Sequence, residues 1–214
     1  MSGTERPSSA AVLTSDEDVT DGIFEGEVIL QGEVGHRRFS SCAFRDCDFE
    51  GSTFVDCTFV DATFDGCRFR DVRFVGCRFG SGKDQHPIRW RFCDLSHARF
   101  EDSNLALAEI VKCDAFETVF DKCSCLGLKF DAAVHRRAGR TKMPGGVHFT
   151  GCRMQFSIFA PADYEACVFE SCDLRDADFS RGNFTRASFR GSVLHNADFT
   201  GATLDEADLT STTF

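Results

Sequence analysis

The sequence predicts an all-β solenoid whose chain turns around four sides. Two observations carry this prediction: a large apolar residue recurs at every fifth position, and a small residue usually stands two places before it. Between positions 39 and 79 the large residue is phenylalanine at every step of five. Of the 24 phenylalanines, only Phe92, Phe116 and Phe156 fall outside the pattern. A repeat that covers most of the chain decides the fold class.

A period of five excludes both a regular helix and a flat strand. Five residues advance an α-helix by about 500°, so successive phenylalanines would be spread around the whole axis. In a flat strand, an odd step alternates between two faces. We therefore expect a corner after every five residues, with the large central residue pointing inward on each side. Four sides complete one coil, and coils stack about 4.8 Å apart through backbone hydrogen bonds.

The repeat runs in three blocks, each with its own register. The central residues run from Phe24 to Phe79, then from Trp90 to Phe130, and then from Phe149 to Phe214. Within the second block, Ala115 is too small for a central position, and we expect the following Phe116 to compensate. Residues 1–20 are polar, lack the pattern and are expected to form a flexible leader. Residues 21–214 are expected to form a single domain.

The cysteines follow the same register. Eleven of the 12 stand two residues before a central residue, where a small side chain is needed near a corner. This spacing does not resemble that of metal or redox pairs, so we expect reduced core thiols, no metal site and no cofactor. The chain has no run of 18 apolar residues and no signal-peptide pattern, which favours a cytoplasmic protein without a membrane span. A net charge of −10 argues against general nucleic-acid binding.

The third block contains the phrases CDLRD, ADFSR, GNFTR and ASFRG, followed by ADFTG, ATLDE and ADLTS. These phrases resemble the A(D/N)Lxx phrase of the pentapeptide-repeat family. The resemblance covers about residues 22–214 and implies a right-handed quadrilateral (four-sided) parallel β-helix. Because many family members have no assigned role, the repeat alone implies no activity.

Two stretches break the period, GSGKDQHP at 80–87 and DAAVHRRAGRTKMPGG at 131–146. Two outward loops, at about 80–88 and 131–147, resemble those of the Qnr-like subgroup of quinolone-resistance proteins. That resemblance implies a non-catalytic DNA mimic that binds DNA gyrase or topoisomerase IV and protects it from quinolones or other gyrase poisons, in resistance or in self-immunity. The alternative is a structural or adaptor solenoid with an unknown protein partner.

The charge distribution agrees with mimicry at both ends of the repeat. Residues 1–80 carry 15 acidic and 8 basic side chains, and residues 147–214 carry 10 and 5. Residues 81–146 carry 9 acidic and 11 basic side chains. Any soluble solenoid also needs charged outer surfaces. The predicted phosphate-mimicking face consists of Asp46, Asp56, Asp61, Asp71, Asp173, Asp176, Asp178, Asp198, Asp205 and Asp208.

The loops are the expected places for partner recognition, because a rigid scaffold holds them outward. The second loop is basic, so it would contact either an acidic patch of the enzyme or DNA held by it; a solvated loop that neutralises nearby acids is the third alternative. The predicted partner-binding residues are Ser81, Lys83, Asp84, Gln85, His86, His135, Arg136, Arg137, Arg140, Lys142 and Met143.

Catalysis has no support in the sequence. Nucleophile-elbow, P-loop, zinc-protease and dinucleotide motifs do not occur, and the six histidines are scattered. The predicted partners are therefore DNA gyrase or topoisomerase IV, without sequence-specific nucleic-acid binding. The repeat continues to Phe214, whereas Qnr-like proteins usually follow the last coil with a C-terminal helix that caps the core and forms the dimer. Three alternatives follow: direct end-to-end pairing of two C-terminal coils, local fraying, or a monomer with an open edge. Of these, we expect a symmetric homodimer through the C-terminal coils.

Overall fold

The computed structural model describes residues 17–28, 32–80, 87–138, 141–143 and 145–214. Within these ranges the regular structure is entirely β. The strands are β1 (Val19–Thr20), β2 (Ile23–Glu25), β3 (Glu33–Gly35), β4 (Arg38–Ser40), β5 (Ala43–Arg45), β6 (Thr53–Val55), β7 (Thr58–Val60), β8 (Thr63–Asp65), β9 (Arg73–Val75), β10 (Arg78–Gly80), β11 (Arg89–Arg91), β12 (Arg99–Glu101), β13 (Glu109–Asp114), β14 (Val119–Asp121), β15 (Lys129–Ala133), β16 (Arg136–Ala138), β17 (Thr141–Met143), β18 (His148–Thr150), β19 (Ile158–Phe159) and β20 (Val168–Glu170).

The strands stack into a four-sided parallel solenoid, which confirms the predicted fold class. Face 1 is the sheet β1-β4-β7-β10. Face 2 is β2-β5-β8-β11-β13-β15-β19, and face 4 is β3-β6-β9-β12-β14-β18-β20. Face 3 is a ladder of single parallel bridges that includes Val28, Asp48, Arg68 and Asp94. The chain visits faces 1 to 4 in turn, so Phe39 pairs with Phe59 one coil later.

The phenylalanines form ladders along the axis of the coil. Phe59 stacks on Phe39 and Phe79, with ring centroids 5.0 and 5.1 Å away. It also meets Phe54 and Phe64 of the same coil edge-on, at 5.8 and 5.7 Å. Burial of each ring contributes about 1.5–3 kcal/mol, and each ring pair adds roughly 0.5–1.5 kcal/mol. No coil buries this face alone, so stability is summed between neighbouring coils.

All 12 cysteines are buried and none forms a disulfide, as expected for small core residues. Most of the thiols also donate to a backbone carbonyl of the coil before. Cys57 Sγ donates to the carbonyl oxygen of Val34, and Cys77 Sγ donates to that of Phe54, both at 3.3 Å. Burial raises the pKa of the Cys42 thiol, so its neutral form is favoured. The cysteine column therefore supplies both packing and hydrogen bonds beneath the corners.

Most sides end in a residue with positive φ, two places after the central one; the sides of Phe130 and Phe159 are exceptions. Asp46 has a φ of 51° and Gly66, one coil later, has 66°. The corners have two forms. In the first, a three-residue strand such as β7 runs straight into the corner. In the second, as after Phe179, the central carbonyl accepts the N–H of Gly182 at 3.3 Å, while Asp178 Oδ1 accepts the N–H of Ser180 at 2.8 Å.

Three details of the sequence prediction need correction. β1 lies inside the predicted leader, so the solenoid begins by Val19, and residues 1–16 lie outside the described residues. The second interruption is shorter than predicted, because β15 extends to Ala133 and both Val134 and Val147 are buried in the core. Phe116 does not enter the axis beside Ala115. It lies outside the coil, where the Arg136 guanidinium covers its ring at 5.0 Å.

Candidate functional site

The two interruptions leave the solenoid at diagonally opposite corners. The first departs after Gly80 on face 1 and returns at Ile88, which is buried before face 2. The second departs after Val134 on face 3 and returns at Val147 before face 4. About two and a half coils separate them, or roughly 12 Å along the axis. A partner that contacts both interruptions must therefore reach two opposite edges of the rod.

The second interruption contains a β-hairpin that pairs only with itself among the described residues. β16 and β17 are antiparallel, with Arg136 opposite Met143, Arg137 opposite Lys142 and Ala138 opposite Thr141. We call residues 136–143 the basic hairpin. Its strands join none of the sheets of the coil. The hairpin is therefore an addition to the rod, held by contacts at its root.

Arg136 provides the main electrostatic contact at that root. Its guanidinium donates to Asp114 Oδ2 from Nε at 3.1 Å and from Nη2 at 3.0 Å, and Nη2 lies 3.6 Å from Asp94 Oδ1. The same group covers the Phe116 ring. Two hydrogen bonds in a fork and a cation–π contact fix an arginine more firmly than a lysine. Arg136, predicted to contact a partner, is engaged with the rod itself.

His135 forms a second contact at the root. Its side chain is 8% exposed, and its Nδ1 accepts the N–H of Gly145 at 3.3 Å. Its Nε2 lies 3.7 Å from Asp163 Oδ1 of the next coil. His135 is thus a buried residue that links both ends of the interruption and the adjacent coil, in addition to its predicted role in partner binding.

The other predicted loop residues divide into two groups. Met143 is 44% exposed at the end of the basic hairpin, and Arg137 and Lys142 pair with each other through the backbone. The remaining predicted residues lie outside the described residues, namely Ser81, Lys83, Asp84, Gln85, His86 and Arg140.

The predicted acidic residues do not share one face. Asp46, Asp56, Asp61 and Asp71 occupy the four different corners of the coil, each with a φ between 49° and 57°. Asp176 has the same geometry, with a φ of 58°. Aspartate tolerates this left-handed conformation better than most residues, so the corners themselves favour it. The acids therefore surround the rod instead of forming a single stripe.

Four further predicted acids support turns. Asp173 on face 1, Asp178 and Asp198 on face 2 and Asp208 on face 4 each accept a backbone N–H two residues later. The bond from Arg175 and its side chain holds the pKa of Asp173 below its usual value, and bonds from Thr200 and Thr210 lower the pKa of Asp198 and Asp208. Only Asp205, exposed on face 3, has neither role. Nine of the ten predicted acids therefore also have a local structural role, at a corner or in a turn.

A polar groove beside the second interruption was not predicted from the sequence. It has a volume of about 650 Å³ and is lined by Asp71, His97, Arg99, Glu117 and His148, with small residues between them. His97 Nδ1 lies 3.2 Å from Glu117 Oε2. The two residues are 20 apart, so one coil of the repeat brings them together. If the 20-residue register of the coil is applied to polar residues as well as apolar ones, it predicts this pair.

The exposure of two off-register phenylalanines is a second feature that was not predicted from the sequence. Phe92 and Phe156 stand at corners with φ near 53° and 60°, and each is more than half exposed. Leu107 occupies the same corner as Phe156 and is 61% exposed. Exposed apolar side chains on a rigid corner suit contacts with another protein. Among the described residues, no helix is long and apolar enough to cross a membrane.

Comparison with known proteins gives two family-model matches and several structural ones. A model of pentapeptide repeats in eight copies matches residues 172–210, and one in nine copies matches residues 38–82. A search of curated proteins found no similar sequence. Among solved structures, a trypsin-treated variant of QnrB1, described as a plasmid-mediated fluoroquinolone resistance protein, is 19% identical with a TM-score of 0.60, over 89% of this chain and 83% of that one.

A second trypsin-treated QnrB1 variant is 16% identical with a TM-score of 0.53, over 92% of this chain and 91% of that one. HetL from Nostoc sp. strain PCC 7120, described as a pentapeptide repeat protein involved in heterocyst differentiation regulation, is 14% identical, with a TM-score of only 0.39 over 92% and 89%. At these identities the QnrB1 similarity shows the fold alone. The repeat, the four-sided coil and the two family models together identify the chain as a pentapeptide-repeat protein with a Qnr-like fold.

Proposed function

We propose that this protein is a non-catalytic DNA mimic that binds DNA gyrase or topoisomerase IV and protects the enzyme from quinolones or other gyrase poisons. The observation that carries the proposal is a QnrB1-like rod, acidic towards both ends and interrupted at two corners by loops. QnrB1 is described as a fluoroquinolone resistance protein, and the proposal extends that role to this chain.

The acidic ends support the proposal through their spacing. Asp178 and Asp198 are bridge partners in adjacent coils on face 2, so their carboxylates repeat about every 4.8 Å. Phosphates of one DNA strand repeat about every 3.4 Å along the helix axis. The lowered pKa of Asp198 keeps its carboxylate charged at neutral pH. A positively charged DNA channel would therefore meet regularly spaced negative charges on the rod.

The basic hairpin has a separate task in this proposal. It stands out from the middle section, where basic residues outnumber acidic ones by 11 to 9. We expect it to contact an acidic surface of the topoisomerase, such as the carboxylates that bind its catalytic metal. Because a scaffold positions it, the hairpin provides the specificity that a regular repeat lacks.

The first experiment tests protection and the hairpin together. Purified protein is added to a gyrase supercoiling assay inhibited by a fluoroquinolone, and restored supercoiling is expected. In the key variant, an Asn-Gly turn replaces residues 137–142, which retains the Arg136–Met143 pair and the root contacts. This variant should fold normally and lose most of the protection. Absence of protection by the unaltered protein at every concentration would refute the proposal.

The second experiment tests the acids without damaging the turns. Asn104 and Asn183 accept the same backbone N–H bonds that the turn aspartates accept, so Asp→Asn removes charge and retains the turn. We expect weaker gyrase binding after neutralising Asp173, Asp178, Asp198 and Asp208. A control with the same change in charge alters Glu25, Asp65, Asp102 and Asp121 to their amides. Equal loss in both variants would indicate a general charge effect and contradict a specific mimic.

The adaptor solenoid remains the second candidate, favoured by the exposed corner residues Leu107 and Phe156. It predicts no gyrase binding and no dependence on the basic hairpin. Direct binding of the purified protein to gyrase, measured by biolayer interferometry, separates the two candidates.

A further inference from the structure

We propose that His135, Asp163 and Glu165 form a binding site for a divalent first-row transition metal such as Zn²⁺. One ligand atom from each of the three side chains lies within 4.8 Å of the others. His135 stands at the start of the second interruption, and the two acids lie on the next coil. The site is independent of the proposed function, because it rests only on this cluster and its surroundings.

The cluster is sheltered and has room for an ion. The side chains of His135 and Glu165 are 8% and 16% exposed, while Asp163 is half exposed. A cavity of about 330 Å³ adjoins the cluster and is lined by His135, Asp163, Val134 and Asp131. A site with three protein ligands needs space for a metal-bound water, and this cavity provides it.

The donor set determines the class of metal. Imidazole nitrogen and carboxylate oxygen are both zinc ligands, and a site with three protein ligands leaves a fourth position open. Imidazole suits Zn²⁺, Ni²⁺ and Cu²⁺, whereas Mg²⁺ and Ca²⁺ prefer oxygen ligands throughout. We therefore expect Zn²⁺ to bind more tightly than Mg²⁺ or Ca²⁺.

Further groups contact each ligand from behind, and those behind the two carboxylates are of the kind usual for metal sites. Asn183 Nδ2 donates to Asp163 Oδ1 at 2.9 Å. Glu165 pairs with Arg186. The N–H of Gly145 donates to His135 Nδ1. These contacts orient the three side chains towards one point before any metal arrives.

The Gly145 contact links metal binding to the basic hairpin. Since Nδ1 accepts that N–H, a neutral His135 ring carries its proton on Nε2, which faces Asp163. Metal binding at Nε2 releases that proton to solvent, and the ring takes one up at Nδ1. The new Nδ1–H then faces the N–H of Gly145, so this 3.3 Å contact breaks. The metal thus strengthens the start of the interruption and frees its returning end.

Calorimetric titration of the chelator-treated full chain with Zn²⁺ tests the site. We expect one Zn²⁺ per chain, and about a 100-fold loss of affinity in His135→Ala and Glu165→Gln. Asn183→Ala, which removes a group behind Asp163, should lose about 10-fold. His195→Ala is the matched control, because His195 is exposed and lies outside the cluster. It should bind as the unaltered protein does.

Two results would overturn the proposal. One is an unaltered chain that binds no Zn²⁺; the other is equal affinity in His135→Ala and His195→Ala. Glu165→Gln retains the size of the side chain, so a loss there cannot be ascribed to a misfolded hairpin root. Amide NMR adds a second measurement: Zn²⁺ should shift the Gly145 resonance in the unaltered chain and leave it unmoved in His135→Ala. A shift confined to residues around other histidines would contradict the assignment.

Discussion

Residues 38–80 of the first repeat block and residues 172–210 of the last build the same coil with different corners. In the first block, strands such as β6 (Thr53–Val55) and β7 (Thr58–Val60) place β-branched residues on either side of phenylalanine. In the last block, single bridges replace strands, and an Asp or Asn before the central residue accepts a backbone N–H of the turn. Residues that favour strands extend the sides, and residues that favour turns shorten them.

This difference changes how the acidic residues are interpreted. In the first block, predicted mimic residues such as Asp46 stand at corners with positive φ. In the last block, Asp178 and Asp198 lie on a side and hold the turn. A repeat of this kind accumulates acids because its turns need them. Partner recognition must therefore be separated from turn formation by substitutions that change one and spare the other.

The largest expected effect is on the core of the first block. Phe59→Ala removes a ring that stacks on Phe39 and Phe79. We expect the free energy of unfolding to fall by about 3–5 kcal/mol in urea titrations. Leu194→Ala in the last block removes a buried aliphatic side chain, which has no ring to stack, and its cost should be roughly 1 kcal/mol smaller. Equal costs would mean that ring stacking adds nothing to the first block.

The next effect concerns the corners of the first block. A Cβ at Gly66 would overlap Asp46 Oδ1, and the φ of Gly66 is +66°. Gly26 has nearly the same φ, +65°, with nothing within 4 Å of a Cβ. We expect Gly26→Ala to cost about 1 kcal/mol and Gly66→Ala roughly 2 kcal/mol, measured by thermal unfolding. The difference between them isolates the steric effect of the Asp46 carboxylate.

In the last block, Asp178→Ala should cost about 1 kcal/mol, because the Ser180 N–H loses its acceptor. Asp178→Asn should cost little, since Asn183 performs the same task nearby. Urea titration of both variants checks this. A large cost for Asn would show that the charge, and not the hydrogen bond, supports the turn.

Acid should weaken the last block through three of its turn aspartates. The pKa of Asp173, Asp198 and Asp208 is lower in the folded chain than in the unfolded chain, where it is about 3.9. Their contribution is therefore complete above about pH 4 and is lost as pH falls through the lower folded value. Unfolding monitored between pH 5 and 2 should show this loss, and changing the three residues to Asn should flatten the profile.

The smallest effect is expected at the hairpin root. Arg136→Ala removes two hydrogen bonds to Asp114 and the cover of Phe116. Amide exchange of the basic hairpin should accelerate several-fold, while the urea midpoint of the coil changes little. Arg136→Lys is the matched control. Its amide exchange should lie between that of the unaltered chain and that of Arg136→Ala, because a lysine cannot form both hydrogen bonds to Asp114.

The solenoid could be predicted from the sequence because the interior of the coil requires a large apolar side chain at every fifth position. Twenty-one phenylalanines in register leave no other regular structure that buries them. The extent of the second interruption could not be predicted, because Val134 stands four residues after Phe130 and the local count departs from five. The position of Phe116 could not be predicted either. Its ring is buried outside the coil because Arg136 at the hairpin root covers it.

The candidate site was predicted only in outline. The basic character of the second loop is visible in the sequence, but the inward use of His135 and Arg136 depends on acids that lie 22 to 42 residues away along the chain. Such pairs arise from the stacking of coils. They become predictable once the register is applied to charged residues, as for His97 and Glu117, which are 20 apart.

The reactivity of the buried thiols can report which coils of the rod open, and how often. Cysteines occur from Cys42 to Cys172, all are buried, and each reacts with an alkylating reagent only when its coil separates from the next. A short pulse of reagent, followed by mass spectrometry of the peptides, would rank the coils by how often they open. The same measurement on complexes would show which coils a partner clamps shut.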